Sequence, residues 1–212
     1  MRSRTGIFGD LFPMHPQPLP DELLTSWLMR TAHANGMKLQ RFLDVLVGRE
    51  TPTLNRDYDR SVPYEHLIAY SEATGVTIER LYQCTLRHFN GTFITEVITK
   101  SNSPWILAAG IHHRKRFLHG LQYCQACLAS DKVPYFRLRW RLAFYVECHI
   151  HHIQMKDACW SCDAPVIPYR IELGRRRSTL AINGRSCQNC GIDLAQGSQN
   201  AIPDFDYDVR CA

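Results

Sequence analysis

Cys124-Gln125-Ala126-Cys127, Cys148-His149-Ile150-His151, Cys159-Trp160-Ser161-Cys162 and Cys187-Gln188-Asn189-Cys190 follow one another along a 212-residue chain. They carry seven of its nine cysteines. A gap of two residues lets one tight turn aim both donors at a single ion, and a tetrahedral ion takes two such turns. In chain order the donors form two sets. The first is Cys124, Cys127, Cys148 and His151; the second is Cys159, Cys162, Cys187 and Cys190. Interleaved pairing, first turn with third and second with fourth, meets the same spacing rule. Among His149, His151 and His152, only His151 keeps the two-residue gap from Cys148.

Three other uses of cysteine fit less well. A disulfide framework belongs to small secreted domains, and this sequence opens Met1-Arg2-Ser3-Arg4 without an apolar leader behind it. A catalytic zinc keeps one coordination position for water or substrate, whereas four protein donors rich in thiolate make the closed, structural pattern. A single CxxC can be a redox pair, but four paired turns in tandem argue for metal. The expectation is two structural Zn2+ ions.

Hydrophobic residues make up 45% of the chain, enough for a packed core, and no run reaches the roughly 20 apolar residues of a membrane span. Reduced cysteines and the missing leader lead to an expected bacterial cytoplasmic location, with no membrane partner. A net charge of +5 allows a nucleic-acid contact without requiring one.

Working outward from the cysteines, residues 1–20 carry prolines at 13, 16, 18 and 20 among Phe8, Leu11 and Phe12. That composition reads as an extended arm lying on an apolar surface. A helix is expected to start at Asp21, with Asp21 and Glu22 in its first turn, and to bury Leu23, Leu24, Trp27, Leu28 and Thr31 before Asn35-Gly36. Leu39, Phe42, Leu43 and Leu46 make a second helix ending at Gly48. Residues 49–62 read as irregular. From Pro63 to about Leu86 come two helices joined at Gly75, with Thr77 as N-cap of the second. This has the cadence of a helix-turn-helix, whose recognition helix would offer Thr77, Arg80, Gln83 and Arg87; a helix pair used only for packing fits equally. Cys84 reads as a buried thiol.

One basic stretch precedes the first set of donors and a second lies inside it. Arg114, Lys115 and Arg116 read either as a solvated face or as a phosphate contact. Tyr135 to Leu142 alternates apolar and basic residues, which suggests a strand with Arg137, Arg139 and Arg141 outward, although a helix carries the same residues. Those arginines are candidates for a phosphate backbone or an acidic partner, or else cover a small core with their stems. Arg175, Arg176 and Arg177 form a basic loop between the third and fourth turns, and Asp204, Asp206 and Asp208 an acidic tail.

The expected fold is mainly α, with small zinc-ribbon or zinc-finger β elements. An arm (1–20) leads to a helical, helix-turn-helix-like domain (21–118), a first zinc module (119–157), and a second zinc module with the tail (158–212).

Several of these motifs together resemble the TniQ family, the target-selection proteins of certain bacterial transposons, and its TnsD branch. The resemblance rests on Pro18-x-Pro20-Asp21-Glu22-Leu23-Leu24-x-Ser26-Trp27-Leu28-x-Arg30, then Cys124-x2-Cys127-Leu128. Pro134-Tyr135-Phe136-Arg137 to Trp140-Arg141, Cys148-x2-His151 and Cys159-x2-Cys162 follow in the same order. His152 departs from the glycine that often follows the histidine in such families. The resemblance implies a non-catalytic adaptor that links a marked DNA target to an AAA+ ATPase regulator of the TnsC or TniB kind. It also implies a link in some systems to a CRISPR effector such as Cascade with its guide RNA, and a homodimer. In keeping with that, the sequence shows no P-loop and no nucleophile placed beside a base. The rival readings are a sequence-specific, zinc-containing helix-turn-helix regulator and a zinc hydrolase or nuclease.

Overall fold

The computed structural model describes residues 11–49, 57–99, 101–112, 116–172 and 184–197. Among them are six α-helices: α1 (Leu24–Ala34), α2 (Leu39–Val47), α3 (Tyr58–Ser61), α4 (Tyr64–Thr74), α5 (Ile78–Gln83) and α6 (Gln125–Ser130). The only sheet among these residues is one antiparallel pair, β1 (Gly110–His112) with β2 (Arg116–Leu118), in the register Ile111 opposite Phe117. The described residues are mainly helical with few strands.

Helix α1 is organised from outside itself. Its apolar stripe, Leu24, Trp27, Leu28, Thr31 and Ala32, is buried. Asp21 and Glu22 lie ahead of the helix instead of within its first turn, because Asp21 takes a left-handed φ of 58°. Partners distant in the chain satisfy the first free amides. Leu24 N donates to Cys84 O at 2.8 Å, and Thr25 N donates to the Asp59 carboxylate at 2.8 Å. An anion at this end also suits the helix dipole. Asp59 comes from α3, a turn inside the stretch expected to be irregular. Glu22 is buried and holds Arg30 at 2.7 Å, with Ser26 and Leu19 N as its further donors.

The described part of the proline arm, from residue 11 on, lies on this helical unit, and Phe8 falls outside the described residues. Phe12 N donates to Ala73 O, the Phe12 ring packs 4.9 Å from Phe42, and the Trp27 indole N–H donates to Pro16 O. Helices α4 and α5 meet at Gly75, φ 70°, which a side chain would strain. The Thr77 hydroxyl caps α5 by accepting from Arg80 N. Cys84 is buried, and desolvation pushes its thiol up to about 12.

The helical core holds Trp27, Phe42, Tyr70 and Leu81, and also Ile167, Tyr169 and Ile171 from the stretch between the third and fourth cysteine turns. A second core gathers around the cysteines, with Tyr123, Leu128, Phe136, Trp140 and Leu194.

Candidate metal centres

Three of the four paired turns are built alike. Cys148 N donates to Ile153 O and His152 N to Cys148 O; Cys159 N donates to Ala164 O and Asp163 N to Cys159 O; Cys187 N donates to Ile192 O and Gly191 N to Cys187 O. A single antiparallel bridge closes each, at Glu147–Gln154, Ala158–Pro165 and Ser186–Asp193. The chain reverses at the residue after the second donor, where φ is 51° at His152, 56° at Asp163 and 82° at Gly191. The first turn differs: Cys124 caps α6, and Cys127 lies within it.

Folding brings the donors together in chain order. Cys124, Cys127, Cys148 and His151 form one group and Cys159, Cys162, Cys187 and Cys190 the other, with ligand atoms in each within 4.8 Å of one another. In the first, His151 Nδ1 lies 3.3 Å from Cys127 Sγ, 3.6 Å from Cys124 Sγ and 3.7 Å from Cys148 Sγ. In the second, Cys159 and Cys190 sulfurs lie 3.7 Å apart, and Cys162 and Cys187 sulfurs 3.8 Å apart. Metal–sulfur bonds of about 2.3 Å in a tetrahedron set sulfurs about 3.8 Å apart, so these donors fit a tetrahedral ion without rearrangement. Each group can hold a metal ion. His149 faces elsewhere, hydrogen-bonded to the Tyr145 hydroxyl and near Arg139, and His152 pairs with Glu147.

Thiolate is the ligating form, and the surroundings favour it at some donors. A hydrogen bond from Cys127 holds Cys124 down at about 5. At Cys162 burial opposes ionisation, but hydrogen bonds, the first from Asn189, bring it to about 6. Backbone N–H groups of Cys127 and Asn189 also point at Cys124 and Cys187 sulfurs, each at 3.4 Å. These donors were not named from sequence, although the turn that spaces two ligands by two residues supplies them.

The Tyr135–Leu142 stretch is not a strand. Leu138–Arg141 is a 3-10 turn, and Arg137 and Arg141 are buried instead of facing outward. The physical reason is a set of acidic partners, two of them far away in the chain. Arg141 donates two bonds to Asp57, Arg137 pairs with Asp131 at 2.8 Å and stacks 4.3 Å over Tyr135, and Arg139 pairs with Asp21. Backbone bonds knit the same joint: Leu23 N to Phe136 O at 2.9 Å, Phe136 N to Ser26 Oγ at 3.0 Å, and Leu138 N to Asp21 O at 2.6 Å. The stretches 21–26 and 136–141 therefore face each other across the seam between helices and cysteine turns.

The other basic candidates are distributed differently. Thr77 and Gln83 are exposed. Arg80 donates to Pro18 O and Leu19 O, and Arg87 to Val62 O. Arg114, Lys115, Arg175, Arg176 and Arg177 lie outside the described residues, and only the backbone of Arg116 is described, in β2.

Fold and site define a mainly helical protein with two four-donor groups that can each hold a metal ion. The chain belongs to the TniQ family, whose model matches residues 13–155. That membership implies a transposition-associated target-selection protein. No curated protein matches the chain. No helix among the described residues is long and apolar enough to cross a membrane.

Proposed function

We propose that this protein is a non-catalytic adaptor of DNA transposition, linking a recognised target site to an AAA+ ATPase regulator that recruits the transposase. The observation that carries the reading is the closure of both donor groups. Each ion would have four protein ligands and no position left for water, so zinc here would hold shape and perform no chemistry. Two structural Zn2+ ions fit the thiolate-rich sets and the sulfur spacings. The target-recognition partner would be DNA alone or a CRISPR effector carrying guide RNA, with the adaptor as monomer or homodimer in the bacterial cytoplasm. The arm (1–20), helical domain (21–118) and two zinc modules (119–157 and 158–212) stand as its working divisions.

Partner contacts fall to the α5 face with Thr77, Arg80, Gln83 and Arg87, to Arg114–Arg116, and to Arg175–Arg177. Arg139, half-exposed, is the member of the 137, 139 and 141 set best placed to add to them. The second reading, a sequence-specific helix-turn-helix regulator, draws on the α4–Gly75–α5 joint. Retention of the purified protein on the neighbouring ATPase, with and without DNA, tests the adaptor. Retention is expected. Binding to one short duplex over random DNA without the ATPase would favour the regulator instead.

A further inference from the structure

The two donor groups differ in how solvent reaches them. In the first, Cys124, Cys127 and Cys148 are all buried and only His151 is partly open. In the second, Cys190 is exposed and Cys162 half-buried. A cleft of about 370 Å3 lined by residues 154–163 opens beside Cys159 and Cys162. The second group also braces the helical half. The Gln188 side chain, inside the Cys187–Cys190 turn, accepts from Ile167 N at 3.1 Å and donates to Pro165 O at 2.5 Å. Three residues of the stretch so held, Ile167, Tyr169 and Ile171, are buried in the helical core. Just beyond them the Glu172 carboxylate accepts from Leu39 N at 2.9 Å and meets His33 at 3.2 Å.

We infer that the second group is a peroxide-sensitive latch, whose oxidation frees its metal and loosens the Pro165–Glu172 stretch from the helices. This rests on both groups being metal-loaded. The chemistry needs a peroxide as oxidant. The thiolate of Cys190, the one exposed residue among the eight donors, attacks one peroxide oxygen, the O–O bond breaks, and hydroxide leaves behind a sulfenic acid. The Cys159 thiolate, 3.7 Å away, displaces a second hydroxide and forms the S–S bond. Two sulfurs have lost two electrons, the peroxide has gained them, and two protons from solvent complete two waters. The remaining two thiolates no longer hold the ion. The Cys187–Cys190 turn then loses its anchor, and the Gln188 brace goes with it.

The test begins with the metal content of the full chain, two equivalents expected. Hydrogen peroxide is then added with a colorimetric chelator present. One equivalent should be released about tenfold faster than the other, in keeping with thiolate exposure. Mass spectrometry should find Cys190 in the first disulfide, and hydrogen exchange should speed up over residues 165–172 with that release. Thiol reductant plus zinc should reverse all three changes. Cys190→His, which keeps a fourth donor but no exposed thiol, should hold two ions and resist peroxide. Equal release rates, or prior oxidation of Cys124, Cys127 or Cys148, would overturn the latch. These kinetics on the unaltered chain decide the matter even if Cys190→His loses an ion. A starting content other than two overturns the metal reading itself, a failure visible before any peroxide is added.

Discussion

Arg141 and Asp57, 84 positions apart in sequence, meet as a two-point ion pair with Arg141 only 1% exposed. Arg141 also donates to Leu107 O, and Arg60 lies 3.7 Å from Asp57, so the pair joins α3 to the seam in front of the cysteine turns. Removing Asp57 leaves the buried Arg141 with only the more distant Asp59, 3.8 Å away, as an acidic partner, at a cost toward the lower end of the roughly 3–5 kcal/mol for breaking a buried pair. Asp57→Ala should lose that much in denaturant unfolding while still holding both ions, since no donor contacts Asp57. Asp57→Ala combined with Arg141→Met should lose less than the two single changes added together. Additive losses would show that the pair is not coupled.

Why this pair escaped the sequence is instructive. Alternation of apolar and basic residues from Tyr135 to Leu142 is what a strand with one solvated face would show, and it equally fits a short turn buried on both sides. The choice depends on whether acidic partners exist, and Asp21 and Asp57 lie 118 and 84 positions from their arginines, with only Asp131 close by, six positions from Arg137. Signals local in sequence were legible: the helix stripe of Leu24, Trp27 and Leu28, the Gly75 joint, the Thr77 cap and the two-residue gaps between donors. The service of Asp59 to α1 was not, because a cap supplied from another helix leaves no mark beside the helix it caps.

Asp59 should report its burial directly. Desolvation raises its carboxyl to about 6, against the opposing pull of Arg141 and the hydrogen bonds from Thr25. The folded chain thus binds this proton more tightly than the unfolded chain does. The resulting stability is fully present below the unfolded value of 3.8 and is lost as pH rises through about 6. A shift of about two units corresponds to roughly 3 kcal/mol. The Asp59 carboxyl carbon resonance should titrate near 6, and the stability difference between Asp59→Asn and the parent should change between pH 4 and 6. Comparing the two proteins cancels the acid sensitivity of the metal groups. A midpoint below 4.5 would contradict this account.

His151, through Nδ1, should be the histidine that counts. His151→Ala should weaken one ion in chelator competition by about a hundredfold or more, since losing even an outer-shell partner of a ligand costs roughly 10- to 100-fold. His149→Ala and His152→Ala should leave both ions in place. Cys187→Ser should release one ion and open the Pro165–Glu172 stretch to protease, because metal binding here is also folding energy. Unchanged metal content in Cys187→Ser would remove the case for the second group.

The three equivalent turns make a prediction of opposite signs. His152, Asp163 and Gly191 all sit where the chain must be left-handed, and a residue with a Cβ pays about 1–2 kcal/mol there. Gly191→Ala should therefore weaken the second ion by about tenfold, which is 1.4 kcal/mol. His152→Gly removes the same strain, loses an exposed contact with Glu147 worth little, and gains backbone freedom in the unfolded chain. Its net effect should be stabilising or neutral, within about 1 kcal/mol, with the first ion held as tightly as before. Equal losses of affinity for Gly191→Ala and His152→Gly would mean that the side chains at this position, and not its backbone angle, set the shape of the turn.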